Sequence, residues 1–403
     1  VSAELGQLFS SVKQGVLKRL AQRFGNLYDD RNVQISATHT HAGPGGYSHH
    51  AIFNFSSSGH VAQNYAAIVD GITQAIVQAH DRVGPATLSL VAGDILATAS
   101  VNRSEQAFVL NQPVEQPTRN PEMTVLRIDQ GGRPTGAISW FSVHNTSLTQ
   151  TNRLVSSDHK GWASQRMEEQ HGSIAPFLRS GEFVAAFPNG AEGDLSPNIV
   201  LPGFRGPGGG EFAALQIIGN IEFDTAKMLF ESPNRRPVAG DVDFRHTFVR
   251  MPGFTVAASR FSNGAGGKTL CTGAYGASFA AGAEDGPTHL PVFHEGMALG
   301  QNLTPAQLTG LRLALRQFLF AAADATAMCV PVVGPLIVPL KTSSFGVTAA
   351  AHYPCQSPSP SFIPPRVLRG SPTILPPPCR RCRQAPVPGP RPGSHRRPPA
   401  PQP

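Results

Sequence analysis

Two segments of this chain run from an apolar alternation into histidine and then into a loop. No other feature constrains the fold as much. Asn32-Val-Gln-Ile-Ser-Ala-Thr-His-Thr-His41 alternates at period two, with Val33, Ile35, Ala37, His39 and His41 on one face. Thr38 and Thr40 are expected to face away from the histidines and to be structural. The loop Ala42-Gly-Pro-Gly-Gly46 then stops the strand. Gly136-Ala-Ile-Ser-Trp-Phe-Ser-Val-His144 repeats the arrangement, with Ile138, Trp140, Ser142 and His144 expected on a core-facing side. Imidazoles at i and i+2 of one strand end point the same way, and a third from another strand completes three nitrogen donors of the kind zinc takes. A single histidine that ends a strand is most often a hydrogen-bonded core or surface residue. Two such strands, each ending before a loop, set a metal site against that plainer reading.

The surrounding pattern alternates helix and strand. Leu5, Leu8, Phe9, Val12, Val16, Leu17, Leu20 and Phe24 recur at helical spacing, with Lys13, Lys18 and Arg19 between them. This is an amphipathic helix packing one face inward, and a membrane-surface helix is the alternative. Further helices are expected over 61–80 and 215–229, and strands over 87–93, 122–128, 136–144 and 183–187. Without a clear repeat, the order fits a mixed α/β fold of β-sheets flanked by helices.

The strand at 183–187 feeds a polar loop that offers Ser196, with Asp194 two residues earlier, in Gly193-Asp-Leu-Ser-Pro-Asn198. Loops after strands commonly display catalytic groups. The loop is not a G-x-S-x-G elbow, Asp-x-Ser-Pro alone is more often a turn, and no base is recognisable beside Ser196. Arg103 carries only its charge as a signal. Gly206-Pro-Gly-Gly-Gly210 lacks the Lys-Ser/Thr ending of a phosphate loop and reads as an ordinary loop. Cys379-x-x-Cys382 sits among Pro and Arg with no partner pair and reads as accidental.

The formal net charge of +7 belongs to the tail. Residues 354–403 hold eight Arg and no acidic residue, so the remaining chain sums to about −1. Composition therefore gives no case for nucleic-acid binding. The same segment holds 17 of the 37 prolines and is expected to be disordered. The most apolar run, Ala327 to Leu340, is short and broken by three prolines, so no transmembrane helix is expected. Five cysteines do not suggest a disulfide scaffold. Asn54, Asn102, Asn145 and Asn302 head glycosylation tripeptides, which also occur often by chance.

Several segments together resemble the neutral ceramidase family. They are Ser36-Ala-Thr-His-Thr-His-Ala-Gly-Pro-Gly-Gly46, Asn102-Arg-Ser104, Ile138-Ser-Trp-Phe-Ser-Val-His144, Ser157-Asp158 and Asn189-Gly-Ala-Glu-Gly-Asp-Leu-Ser-Pro-Asn198. Gly276–Gly282 and Asp285-Gly286 add a later match, so the resemblance runs across roughly residues 1–296. It implies a zinc-dependent hydrolase that splits the amide of ceramide into a sphingoid base and a fatty acid. Such a protein would be secreted or displayed at the cell surface, with the membrane as its source of substrate and no defined protein partner. Carried over by motif, His39 and His144 resemble the zinc ligands, and His41 a second histidine near the metal. Ser196 resembles the serine usually taken as nucleophile, Asp194 its neighbouring acid, and Arg103 an active-site arginine. Whether Ser196 attacks or a metal-activated water does is left open by the sequence, with a slight lean to water.

The family completes its zinc site with a Glu and a Tyr far downstream, and neither is found. Glu295 lies in a different family segment, and Tyr353 has no supporting context. Three parts are expected: a partial catalytic domain over 1–296, an unaligned stretch over 297–353 and the Pro/Arg-rich tail over 354–403. The chain is expected to lack the family's opening segment and its C-terminal immunoglobulin-like domain. A retained intron followed by a frameshift would explain residues 297–403. Two alternatives stand beside the hydrolase: an inactive or lipid-binding remnant with an incomplete zinc site, and another zinc amidohydrolase of the barrel type.

Overall fold

The computed structural model describes residues 1–287 apart from 55–56, 106–107, 109–117, 174–182, 201–202, 204, 241–248, 260–263, 265 and 271–280. The expected boundaries at 296 and 353, the tail, the five cysteines, Glu295, Asn302 and Tyr353 lie outside the described residues.

In chain order come β1 (Ser2–Ala3), α1 (Ser10–Phe24), β2 (Ser36–Ala37), the single turn α2 (Ala51–Asn54) and α3 (Ala62–Asp81). Then follow β3 (Ala86–Asp94), β4 (Val101–Asn102), β5 (Glu122–Gln130), β6 (Arg133–Trp140), α4 (Asp158–Gln170), β7 (Val184–Ala186), β8 (Leu195–Ser196), α5 (Glu211–Glu231) and β9 (Arg236–Val238). Five strands form one open sheet in the order β7-β6-β5-β3-β9, with β6 and β7 parallel and the other pairs antiparallel. Mixed sheet and flanking helices are the expected fold class, and the open edges exclude the barrel scheme for the described residues.

Two apolar clusters hold this together. Helices α4 and α5 cover one face of the sheet, where Met123, Val125, Ala137, Phe141, Val143, Ala163, Met167, Ala226 and Phe230 pack together. On α1, Val12, Val16 and Leu20 recur at the spacing of one helix face and are fully buried, with Val69, Ile72 and Ile76 of α3 in the same cluster. Each such burial contributes roughly 1.5–3 kcal/mol. That face is therefore covered by protein, against the membrane-surface alternative for α1.

Two expectations about faces are corrected. In β6 and the residues just after it, the core cluster takes Ala137, Phe141 and Val143, while Ile138 and Trp140 are only half-buried. The strand ends at Trp140, four residues before His144, and the chain beyond is covered on both sides, so Ser142 and His144 are buried as well. The first histidine segment pairs as a strand only at Ser36–Ala37. Its alternation fails at His39, which takes φ +63°. Thr38 and Thr40 are both buried, and Thr40 Oγ1 donates to Ser156 O, a structural role.

The sequons at Asn54, Asn102 and Asn145 head buried side chains whose amides donate to Ser48 O, Thr118 O and Ser157 O. They are structural asparagines, not carbohydrate acceptors. The glycine run at 206–210 forms a turn that leads into α5, with Gly210 as its N-cap. No described helix is long and apolar enough to cross a membrane.

Candidate active site

The segment after β2 delivers His39 and His41, and the segment after β6 delivers His144. A parallel bridge between Thr40 and Asn145 sets the two segments side by side. It is reinforced by His41 N donating to Asn145 O at 3.3 Å and by Thr40 Oγ1 donating to Ser156 O at 2.7 Å. The left-handed backbone at His39 is a conformation that costs a non-glycine residue roughly 1–3 kcal/mol. Around it, His39 Nδ1 donates to Gly6 O at 2.6 Å, and Asn189 Nδ2 donates to Thr38 O at 2.8 Å.

His144 is fully buried. Its backbone N donates to Leu195 O at 2.8 Å, and its Nδ1 faces Glu192 O at 2.8 Å and Leu195 O at 3.2 Å. With the protons of His39 and His144 engaged at Nδ1, both rings present Nε2 as a bare lone pair. A backbone carbonyl on the far nitrogen is the usual way proteins orient metal-binding imidazoles. The rings of His39, His41 and His144 lie 4.7–5.7 Å apart, centroid to centroid. One nitrogen from each falls within 4.8 Å of the others. His144 Nε2 is buried without a hydrogen-bond partner, which is costly unless something else takes its lone pair. His39 and His41 approach Nε2 to Nε2 at 3.1 Å. Burial, first of all, lowers the pKa of both His39 and His144, and the Arg103 charge lowers both further. An uncharged imidazole is the form a cation binds. Three convergent nitrogens, two of them on rings whose far sides are pinned, therefore fit a zinc-type ion.

The other candidates gather next door. Strands β4 and β8 pair antiparallel, with Val101 opposite Ser196 and Asn102 opposite Leu195. Asp194 is joined to this pair by two bonds. Its backbone O accepts from Arg103 N at 2.7 Å, and its carboxylate accepts from Asn102 Nδ2 at 3.1 Å. Burial raises the Asp194 pKa, opposed by the Asn102 bond and the Arg103 charge. Ser196 is fully buried, and its Oγ donates to Asp285 at 2.5 Å. The other Asp285 oxygen accepts from Arg103 Nε at 2.7 Å. The sequence offered no partner for Ser196; the fold supplies one from far downstream. The only sequence signal was Asp285-Gly286 within the matched segment.

Sequence reasoning also missed a buried charged group behind His144. His159 Nε2 lies 3.0 Å from His144 O, and His159 Nδ1 lies 3.3 Å from Glu222 Oε2. Lys160 Nζ reaches Glu222 Oε1 at 3.3 Å and Phe141 O at 3.2 Å. Burial alone would raise the Glu222 pKa, but Lys160 and His159 outweigh it and hold the carboxyl below its ordinary value.

Comparison with known proteins relates the chain to one family. The family model "Neutral/alkaline non-lysosomal ceramidase, N-terminal" matches residues 1–317. The neutral ceramidase of Pseudomonas aeruginosa is 38% identical over 315 residues, covering 77% of this chain and 45% of that protein. Neutral ceramidase A of Dictyostelium discoideum is 38% identical over 318 residues, covering 71% of this chain and 44% of that protein. Among solved structures, a ceramidase complexed with C2 superposes with a TM-score of 0.63 at 38% identity, covering 77% of this chain and 46% of that one. A crystal structure of the Pseudomonas aeruginosa neutral ceramidase gives 0.61 at 34% identity. The chain thus spans a little under half the length of the relatives it matches.

Proposed function

The chain belongs to the neutral/alkaline ceramidase family, and from that premise we propose that its site hydrolyses the N-acyl amide of ceramide to sphingosine and a fatty acid with zinc as cofactor. The observation that carries this reading is the convergence of His39, His41 and His144 around the unpartnered Nε2 of His144. In this reading His39 and His144 hold the metal, and His41 stands beside it. When bound, zinc supplies a Lewis acid able to polarise an amide carbonyl and to activate a water.

The protein's own residues supply the rest. The pinned imidazoles hold their orientation without rearrangement when substrate arrives. Arg103 brings a fixed positive charge close enough to act on His39 and His144, which suits the negative charge that builds on an amide oxygen during attack. Departure of the sphingoid amine needs a proton, and this reading assigns that proton to His41, beside the metal ligands. The substrate is drawn from a membrane surface, and the setting proposed from the resemblance is extracellular or at the cell surface.

A second reading, a lipid-binding protein without turnover, is favoured by one observation. Among the described residues the cluster offers the two assigned ligands, His39 and His144, with His41 beside them, whereas the resemblance implies a further Glu and Tyr as ligands. Metal analysis of the purified chain, together with hydrolysis of a fluorescent ceramide, separates the two. One zinc per chain, with turnover abolished in both His39→Ala and His144→Ala, is the expected result. Folded protein that binds ceramide without zinc or turnover would overturn the hydrolase reading.

A further inference from the structure

Asp285 is a buried carboxylate to which the proposed chemistry gives no role. It lies at the turn between the paired strands Gly282–Ala283 and Gly286–Pro287, and its side chain is 2% exposed. Its two oxygens serve two different partners: Oδ1 accepts from Arg103 Nε at 2.7 Å and Oδ2 from Ser196 Oγ at 2.5 Å. The hairpin is also stitched through its backbone, where Glu284 N donates to Arg103 O at 2.8 Å.

We propose that Asp285 is a positioning residue of the hydrolytic site, one that locks the Ser196 hydroxyl and the Arg103 guanidinium into a single unit beside the histidine cluster. The inference rests on the hydrolase reading. Strands β4 and β8 share only two residue pairs, too short a ladder to fix long side chains by itself. A single carboxylate that bonds one group from each side ties the ladder to a third segment of chain. Charge-assisted bonds of this length are among the stronger and more directional ones.

The arrangement also sets the polarity of Ser196. An ionised carboxylate only accepts, so the one hydroxyl proton is committed to Asp285. The serine oxygen already accepts the Asn198 N–H at 3.1 Å. Any further partner of Ser196 must therefore be a donor, as a substrate N–H or hydroxyl is. The unit connects to the metal site through one residue. Leu195, next to Ser196, accepts from the backbone N of His144 at 2.8 Å. A shift of Asp285 would be felt by Ser196, Arg103 and the His144 backbone together.

The test compares the full zinc-loaded chain with Asp285→Asn, Asp285→Glu, Ser196→Ala and the double variant Ser196→Ala/Asp285→Asn. Asparagine keeps the shape but presents an amide that can donate, which frees the serine proton to turn. Two readouts are needed: the arginine Nε–H resonance of Arg103 by NMR, and the kinetics of fluorescent ceramide hydrolysis. The Arg103 signal should stay protected from exchange in Ser196→Ala and lose that protection in Asp285→Asn. Asp285→Asn should lower kcat about 100-fold with KM little changed, as expected for reacting groups displaced by an ångström. Asp285→Glu should recover part of that loss. The double variant should be no slower than the slower single variant. Losses that multiply in the double variant, or an Arg103 signal indifferent to Asp285, would overturn the proposal. If Asp285→Asn fails to fold, Asp285→Glu decides: retained protection with a lowered kcat supports the unit, and an unchanged kcat overturns it. If the unmodified chain has no turnover, the hydrolase reading fails, and the NMR comparison still decides whether the unit exists.

Discussion

The ring of His159 lies with Nε2 3.0 Å from the carbonyl oxygen of His144, so a fully buried histidine of α4 holds the backbone of the most buried imidazole in the cluster. A carbonyl can only accept, which makes His159 the donor. Removing that donor in His159→Phe should leave His144 free to shift and weaken zinc binding by about 10-fold or more, the scale seen when groups supporting a metal ligand are lost. His159→Gln, whose amide can reach the same oxygen, should lose less. Competition with a chelating dye gives both affinities, and equal loss in the two variants would mean the bond is immaterial to the site.

Lys160 and Glu222 form an ion pair with almost no exposure on either side. Taking two charges out of water is expensive, and their mutual attraction with the added bonds to Phe141 O and His159 offsets that cost. Removing one partner leaves the other charge stranded. Lys160→Met and Glu222→Leu should each destabilise by about 3–5 kcal/mol, while the double variant should be far less destabilised than their sum. Urea unfolding of the four proteins completes the cycle.

The apolar framework was legible because its burial is periodic. Val12, Val16 and Leu20 recur on one face of α1, as do Val69, Ile72 and Ile76 on α3, and both helices lie close to where that spacing predicts. The three histidines were legible because each lies at the end of a strand-like run ahead of a loop, although the strands themselves stop at Ala37 and Trp140. Helix α4 was not, because the residues it buries are Asp158, His159, Lys160 and Gly161 alongside Ala163 and Met167. Hydrophobic spacing cannot announce a helix whose inner face carries charge. The pairing of Asp285 with Ser196 spans 89 residues and exists only through tertiary contact. The left-handed turn at His39 escaped for a related reason, since strand alternation presumes extended backbone throughout.

Asp194 should show the conflict between stability and function as a pH effect. Burial raises its pKa in the fold, so the folded chain holds this proton more tightly than the unfolded one. Its contribution is fully present below the unfolded value of about 3.9 and is lost as pH rises through the folded value. Asp194→Asn removes the ionisation while keeping an acceptor for Asn102. The variant should therefore unfold at higher urea than the unmodified chain at pH 7, with the two midpoints converging near pH 4. Turnover should fall in the same variant, as is common where a charge is kept for function at a cost in stability. A variant less stable than the unmodified chain at pH 7 would contradict this assignment of the burial cost.

Gly219 on α5 faces the His159 segment. A methyl group there would meet the backbone oxygen of His159 at 2.7 Å and the Trp162 side chain at 2.7–3.0 Å. Gly→Ala inside a helix ordinarily stabilises by roughly 0.5–1 kcal/mol. Here the nearest atom is backbone, which cannot swing aside as a flexible side chain can, so overpacking should reverse the sign. Gly219→Ala should destabilise by about 1–3 kcal/mol, the usual cost of forcing an extra carbon into a packed interior. Because the displaced segment carries His159, the strain should pass to His144 and lower zinc affinity in the same variant. Gly71 on α3 has no atom within 4 Å of such a methyl. Gly71→Ala therefore supplies the control: a small gain in stability with zinc binding unchanged. Thermal unfolding and dye competition on the two variants check both halves, and a gain in stability for Gly219→Ala would show that the helices are not in close contact there.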